Sequence, residues 1–540
     1  MQGLMMDYQL TIPAILKRAD DVFGRKEIVT RLPDKSFYRY TYADFVRRAK
    51  KLTVALQKLG VQSGDRVATL GWNTYQHLEA YFAIPTAGAV LHTLNLRLSP
   101  DDLTYIANHA QDKLVIVDES LLPLLDKFRD NIQAQQYIVV AFNKPVPEGM
   151  LDYEKLLAAA DEKDFSYPDF DENQAGAMCY TSGTTGRPKG VLYSHRALVL
   201  HSLGAALPDV MDVSEKDVVL PVVPMFHANA WGMPYTATMV GAKQVFPGQF
   251  LDAESLLQDF EQEKVTITGG VPTIWLSIVQ TLEKQPDKWK LTPGMRMIVG
   301  GSAAPEGLIR NFDKFNLEVI HAWGMSEMTP LGTLSRLTSD LMDADEATKY
   351  AYRAKQGVPS PFVEIRGQTE EGFIPWDGQT MGELEVRGPW VAKGYFNTPE
   401  GTDKFTADGW FKTGDVVTIE PNGYITIQDR SKDLIKSGGE WISSVALENA
   451  LMGHPSVSQA AVIAIPHPKW AERPLAVVVL KEGRSATVEE LITFIEPGFA
   501  KWSLPDAIEF VDSIPLTATG KFLKMKLRER FKDYVSPKAD

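Results

Sequence analysis

Short apolar runs recur along this chain at intervals filled by amphipathic helices, and no other feature limits its fold more. VVLPVVPMF, KQVFPG, VTITGG, MRMIVGG and LEVIHAWG follow one another between Val218 and Gly324. Each is shorter than the roughly 18 to 20 residues a membrane-spanning helix needs, and each reads as a strand buried on both faces. Strands of this kind alternate with helices in layered α/β units whose sheets are mainly parallel. The same alternation begins earlier. Thr41 to Gly60 reads as a helix, with Thr41 as N-cap, Asp44 three residues on, Phe45, Leu52 and Leu59 on one face, and Gly60 as the stop. VATLGW from Val67 and LVIV from Leu114 follow as strands, and no repeat of solenoid or propeller period appears.

From about Gly382 the character changes. GELEVRG, GWFKTGD and TIEPNGYITIQD are short alternating runs punctuated by Gly, Asn-Gly and Pro, which predicts a β-rich, barrel-like subdomain. The charged run DRSKD carries no apolar residue, so Asp429 to Asp433 is expected to be a linker. Beyond it, a helix from Val445, strands at Val457 to Ile465 and Leu475 to Leu480, a helix opened by a Thr487/Glu490 capping box, and a basic last helix predict a small α+β domain. The expected division is 1–428, a hinge at 429–433, and 434–540.

A chain of 540 residues is too long for one compact unit. Ordinary globular usage, 44% hydrophobic and 23% charged, excludes disorder and low-complexity classes. A net charge of −13 argues against generic affinity for nucleic acid or anionic lipid, so an anionic ligand needs a local positive site. A single cysteine, Cys179, allows no internal disulfide, and the start MQGLMMDYQLTIPAIL lacks the pattern of a secretory signal, so a cytoplasmic location is expected.

The most informative string is YTSGTTGRPKG, from Tyr180 to Gly190. Gly183, Gly186 and Gly190 permit a tight backbone path. Thr181, Ser182, Thr184 and Thr185 offer hydroxyls to phosphate oxygens, and Arg187 and Lys189 supply positive charge. A Walker loop is excluded by the spacing. Further on, Gly301, Ser302, Ala303 and Ala304 give small residues after a strand, where a flat base could lie against backbone, although plain turn chemistry explains them equally well. HAWGMSE puts an aromatic face, a hydroxyl and a carboxylate in one short segment.

YTSGTTGRPKG, PMFHANAWG, VGGSAAP, HAWGMSEMTP, GWFKTGDV, DRSKDLIKSGGEWIS and TATGKFLK, in that order, resemble the adenylate-forming superfamily of acyl-CoA synthetases, luciferases and peptide synthetase adenylation domains. Through the Trp of HANAWG and the SGGEWISS variant the chain is most similar to bacterial medium- and long-chain fatty-acyl-CoA synthetases. The resemblance implies a fatty acid:CoA ligase that uses ATP, CoA and Mg²⁺, with an acyl-adenylate intermediate. An adenylating enzyme that loads a carrier protein, or an aryl-acid CoA ligase, shares these strings. A homodimer, and at most weak peripheral contact with membranes, are also implied.

The resemblance assigns roles residue by residue. The loop from Thr181 to Gly186 with Lys189 cradles phosphates. Trp323 stacks on adenine, with Gly324 and Met325 beside it. Ser326 meets the α-phosphate, and Glu327 with Thr181 holds the metal. Asp415 accepts the ribose hydroxyls, with Arg430 and Lys432 nearby, and Trp441 either closes over the nucleotide or belongs to the core. Lys521 bridges carboxylate and α-phosphate. Lys436, Gly438, Gly439 and Glu440 serve the thioester step, while His227 and Trp231 border the acyl tunnel. Two departures stand out: the family usually carries Tyr at 323 and Thr at 326.

Overall fold

The computed structural model describes residues 1–181, 187–437, 440–516 and 522–534. Two large sheets dominate the first two-thirds of the chain. The seven-stranded sheet runs in the order Leu151–Asp152, Gln136–Val140, Asp112–Asp118, Arg66–Leu70, Val90–Thr93, Ala175–Tyr180, Gly190–Ser194. Its pairs are parallel except the last, because Gly190–Ser194 returns at the end of the string YTSGTTGRPKG. The nine-stranded sheet has a parallel centre of Lys243–Phe246, Val218–Pro221, Ile267–Gly270, Met295–Val299 and Leu317–Gly324. These are the apolar runs of the sequence, and their residues are almost wholly buried. Antiparallel strands close each edge of it.

The expected helix from Thr41 forms as Tyr42–Lys58, and its cap is reciprocal: the Thr41 side chain accepts from the Asp44 N–H and the Asp44 carboxylate accepts from the Thr41 N–H. Such a box satisfies donors that the first turn of a helix would leave unpaired. The helix buries Phe45, Val46, Ala49, Leu52 and Leu56, an apolar stripe at helical spacing.

The third sheet is five-stranded and antiparallel, in the order Gly372–Phe373, Glu364–Thr369, Gly382–Arg387, Phe411–Ile419, Ile425–Arg430. It begins at Glu364, ahead of the expected start near Gly382. EIRGQT lacks the apolar alternation of its neighbours, and its cross-strand partners, not its own pattern, make it a strand.

The C-terminal part is a small α+β unit. A long hairpin, Val457–His467 with Ala471–Leu480, carries Ala507–Phe510 in parallel on one side, and the helices Ser444–Met452 and Val488–Ile495 pack against it. The Thr487/Glu490 capping box is present. The expected linker divides: Asp429 and Arg430 end a strand and Asp429 is buried, whereas residues 431–433 form a turn with Ser431 and Lys432 exposed. Among the described residues no helix is long and apolar enough to cross a membrane.

Candidate active site

An open cleft of about 1260 Å³ lies at the C-terminal ends of the parallel strands of the nine-stranded sheet. Open α/β sheets present ligand sites at this edge, because the chain leaves each strand there through a loop free to vary. Gly301, Ser302 and Ala303, which follow Met295–Val299, form one part of its wall, and Trp323 and Gly324 end the next strand at its rim. Ala304 lies just behind, where its N–H donates to His321 Nε2 at 3.3 Å while His321 Nδ1 faces the Ala354 carbonyl at 2.9 Å. Burial pushes His321 down to about 4, so this histidine is a neutral strut.

Asp415 and Arg430 enter from the five-stranded sheet, where they stand opposite each other in the ladder. Register therefore imposes their pairing, with Arg430 Nε 2.7 Å from Asp415 Oδ1. The second carboxylate oxygen, Oδ2, accepts from the indole N–H of Trp323 at 2.9 Å. Trp323 and Asp415 are both buried. Glu327, three residues past Gly324, is also buried and accepts at Oε1 from the Tyr395 hydroxyl at 2.7 Å. Lys189 Nζ lies 5.0 Å from the centre of the Tyr395 ring, so one tyrosine touches both the carboxylate and the end of the phosphate-loop string. Burial first, then the Glu327 charge, pushes the Tyr395 phenol well up, which keeps it a donor.

Thr181 ends the strand Ala175–Tyr180; its N–H donates to the Lys189 carbonyl at 2.9 Å, and its hydroxyl accepts from the Lys189 N–H at 3.2 Å. The two ends of the phosphate-loop string are thus clasped together. Ser182, Gly183, Thr184, Thr185 and Gly186 lie outside the described residues, as do Gly438, Gly439 and Lys521 and the side chain of Glu440. The Ser326 carbonyl accepts from the Tyr193 hydroxyl at 2.7 Å, and the Met325 N–H donates to the Pro330 carbonyl at 3.0 Å.

His227 precedes an unusual turn. Ala228, Asn229, Ala230 and Trp231 all have φ between 42° and 55°, a left-handed path that L-residues take at a cost of about 1–2 kcal/mol each. Bonds from Asn73, from the helix Tyr75–Thr86 and from the strand Val90–Thr93 hold the preceding segment: the Met225 N–H donates to Asn73 Oδ1 at 2.7 Å, and Tyr81 and Thr93 donate to the Met225 and Phe226 carbonyls. The Trp231 ring rests on the ends of two neighbouring strands, where a Cβ at Gly269 would come within 3.4 Å of it and one at Gly300 within 3.2 Å.

Lys432, Lys436 and Trp441 do not line the cleft; Lys432 and Lys436 are exposed, and Trp441 is half-exposed with Lys436 Nζ 5.7 Å from its ring centre. In their place the C-terminal unit contributes Glu448 and Lys524, which sequence reasoning missed. Lys524 Nζ is 2.8 Å from Glu448 Oε1 and also bonds the Ser444 hydroxyl, whose N–H donates to Asp429 Oδ2 at 2.9 Å. Burial pushes Glu448 up to about 7, partly offset by Lys524. Burial opposes the Lys524 charge, but Glu448 and Asp429 outweigh it and hold its pKa above the ordinary lysine value. One available signal was a lone charged residue inside the mainly apolar helix VALENALM.

Residues 16–396 match the AMP-binding enzyme family and residues 446–521 the AMP-binding enzyme C-terminal domain. A long-chain-fatty-acid–CoA ligase of Thermus thermophilus is 52% identical over 98% of this chain and 97% of its own. A 3-methylmercaptopropionyl-CoA ligase of Ruegeria lacuscaerulensis is 45% identical over 99% of this chain and 100% of its own. A medium-chain-fatty-acid–CoA ligase of Ectopseudomonas oleovorans is 43% identical over 99% and 98%. With both parts of the chain matched and relatives alike from end to end, this protein belongs to the AMP-binding, adenylate-forming enzyme family.

Proposed function

We infer that this chain is an AMP-forming fatty acid:CoA ligase acting on medium- to long-chain acids. The observation that carries the reading is the corner where Trp323, Asp415 and Arg430 meet beside Gly301–Ala303, a site that offers a π-face and a doubly anchored carboxylate to a nucleoside. In the first half-reaction a carboxylate oxygen attacks the α-phosphorus and the bond to pyrophosphate breaks. In the second, the CoA sulfur attacks the acyl carbon, the thiol proton leaves, and AMP departs.

An anion attacks a polyanion in the first step, so fixed positive charge matters most. Lys521 is assigned that role, with Lys189 beside the loop. Glu327 and Thr181 supply the hard oxygen donors that fit Mg²⁺, which when bound would neutralise phosphate charge. Tyr395 keeps the Glu327 carboxylate oriented. The second step needs a dry acyl-adenylate and a positioned thiol, work assigned to Lys436, Gly438, Gly439 and Glu440. These residues and Lys521 belong to one C-terminal unit yet serve different steps, so rotation about residues 429–433 is the simplest way to exchange them. The need for ATP and CoA supports a cytoplasmic location, and the family resemblance supports a homodimer.

Trp231 is assigned as a plug of the acyl tunnel. Each methylene buried beyond it contributes about 0.8 kcal/mol, so six more carbons raise specificity near a thousandfold. The deciding measurement is acid-dependent AMP release with CoA, from acetate to palmitate. Best activity on acetate refutes the fatty-acid reading. A maximum at 3-methylmercaptopropionate supports the rival that the relative from Ruegeria suggests. Trp231→Ala should shift the chain-length profile, and an unaltered profile removes the plug.

A further inference from the structure

We propose that Trp323 is a positioning residue for ribose selection, its indole N–H locking Asp415 so that base stacking and sugar recognition act as one unit. The proposal rests on the reading of Asp415 as the acceptor of the ribose hydroxyls. A carboxylate that accepts two hydroxyl protons must present its plane to the diol, and an aspartate left alone turns about its last torsion. Here each oxygen already has one donor: Arg430 Nε on Oδ1 at 2.7 Å and Trp323 Nε1 on Oδ2 at 2.9 Å. Each oxygen keeps a further lone pair for a ribose hydroxyl.

The two donors are unequal. The Arg430 side chain is 39% exposed, so water competes with its ion pair. Trp323 is 7% exposed, its N–H has one direction, and low local polarity strengthens the bond. The ring is held in the required orientation from its other edge. A Cβ at Gly332 would come within 2.6 Å of Trp323 Cε3 and Cζ3, so the strand Leu331–Leu334 leaves room for the six-membered ring while the five-membered edge faces Asp415. Tyr carries its donor at the tip of the ring and Phe carries none. The Trp at 323 therefore adds a carboxylate-orienting bond to a ring that lines the cleft.

The test is acid-dependent pyrophosphate exchange with ATP, 2′-deoxy-ATP and 3′-deoxy-ATP, reading kcat and KM separately. Trp323→Phe keeps a π-face and loses the N–H. Its preference for ATP over the deoxy nucleotides should fall about tenfold, the worth of one hydrogen bond to a charged group, through KM more than kcat. Because Phe leaves a gap, the second variant places 3-benzothienylalanine at 323, which keeps the bicyclic ring and removes only the donor; the same loss is expected. Asp415→Ala sets the scale by abolishing the preference. If it does so while the benzothienyl variant discriminates as well as the parent, the proposal is overturned. If Asp415→Ala itself keeps the preference, ribose is recognised elsewhere and the proposal falls with that reading.

Discussion

The two walls of the cleft are built differently. On one side Trp323, Asp415 and Arg430 belong to two sheets: strand register pairs Asp415 with Arg430, and the packing of one sheet on the other brings Trp323 to Asp415. On the other side Glu448, Lys524, Ser444 and Asp429 form a buried ionic knot that fastens the helices Ser444–Met452 and Lys524–Arg530 to the end of the strand Ile425–Arg430. Register cannot be released without unpairing a sheet. A knot of charges can, because water resolvates the ions as they separate and returns most of what their attraction supplied. The difference fits the proposed division between a fixed wall for the nucleotide and a C-terminal wall that detaches between the two half-reactions.

The largest effect should come from cutting the knot. Lys524→Met leaves Glu448 and Asp429 buried without their cation and should destabilise the C-terminal unit by about 3–5 kcal/mol. Urea unfolding and protease sensitivity beyond residue 430 would register it. Adding Glu448→Gln to that variant should recover part of the loss; purely additive costs would mean the pair is not coupled.

Glu448 alone gives a pH signature. Its folded pKa, about 7, lies above that of a free glutamate, so the native state holds the proton more tightly. Its contribution is full below about pH 4.5 and is lost as pH rises through 7, by at most about 3 kcal/mol. Glu448→Gln should flatten the stability profile between pH 5 and 8, and a profile as steep as the parent's would assign the dependence to another group.

Next in size, Lys521→Ala should slow pyrophosphate exchange about 100-fold or more while thioester formation from supplied acyl-adenylate survives. Equal loss in both halves removes the assignment. The smallest expected effect is on the fixed wall: Arg430→Gln should cost under about 1 kcal/mol of stability, because the Arg430 side chain is 39% exposed and the buried Asp415 keeps its bond from Trp323. A larger loss in denaturant melts would show that this wall also depends on charge.

What the sequence made legible was local or periodic. The two capping boxes span four residues each, and the parallel strands announce themselves by continuous apolar runs. The strings YTSGTTGRPKG, VGGSAAP, HAWGMSE and GWFKTGDV were legible as motifs. The bond between Trp323 and Asp415 was not, since 92 residues separate the partners and only the meeting of two sheets joins them. Asp429 read as an exposed linker residue because a charged run looks solvated; its burial follows from the serine and lysine that close over it. That burial also bears on any test of the hinge. Proline at 429 would cut the knot as well as stiffen the backbone, so exposed Lys432 is the cleaner place for it.

The chain order of the cleft has a consequence during synthesis. The fixed wall is complete once Arg430 has left the ribosome, but Glu448 and Lys524 follow later, and the strand Ala507–Phe510 must pair before the C-terminal unit closes. At common elongation rates that last hundred or so residues take roughly 5–20 s. Through that interval the nascent protein carries one finished wall of the cleft and no opposite wall, so under the proposed nucleotide site ATP or AMP would bind and stabilise the N-terminal part before the enzyme turns over.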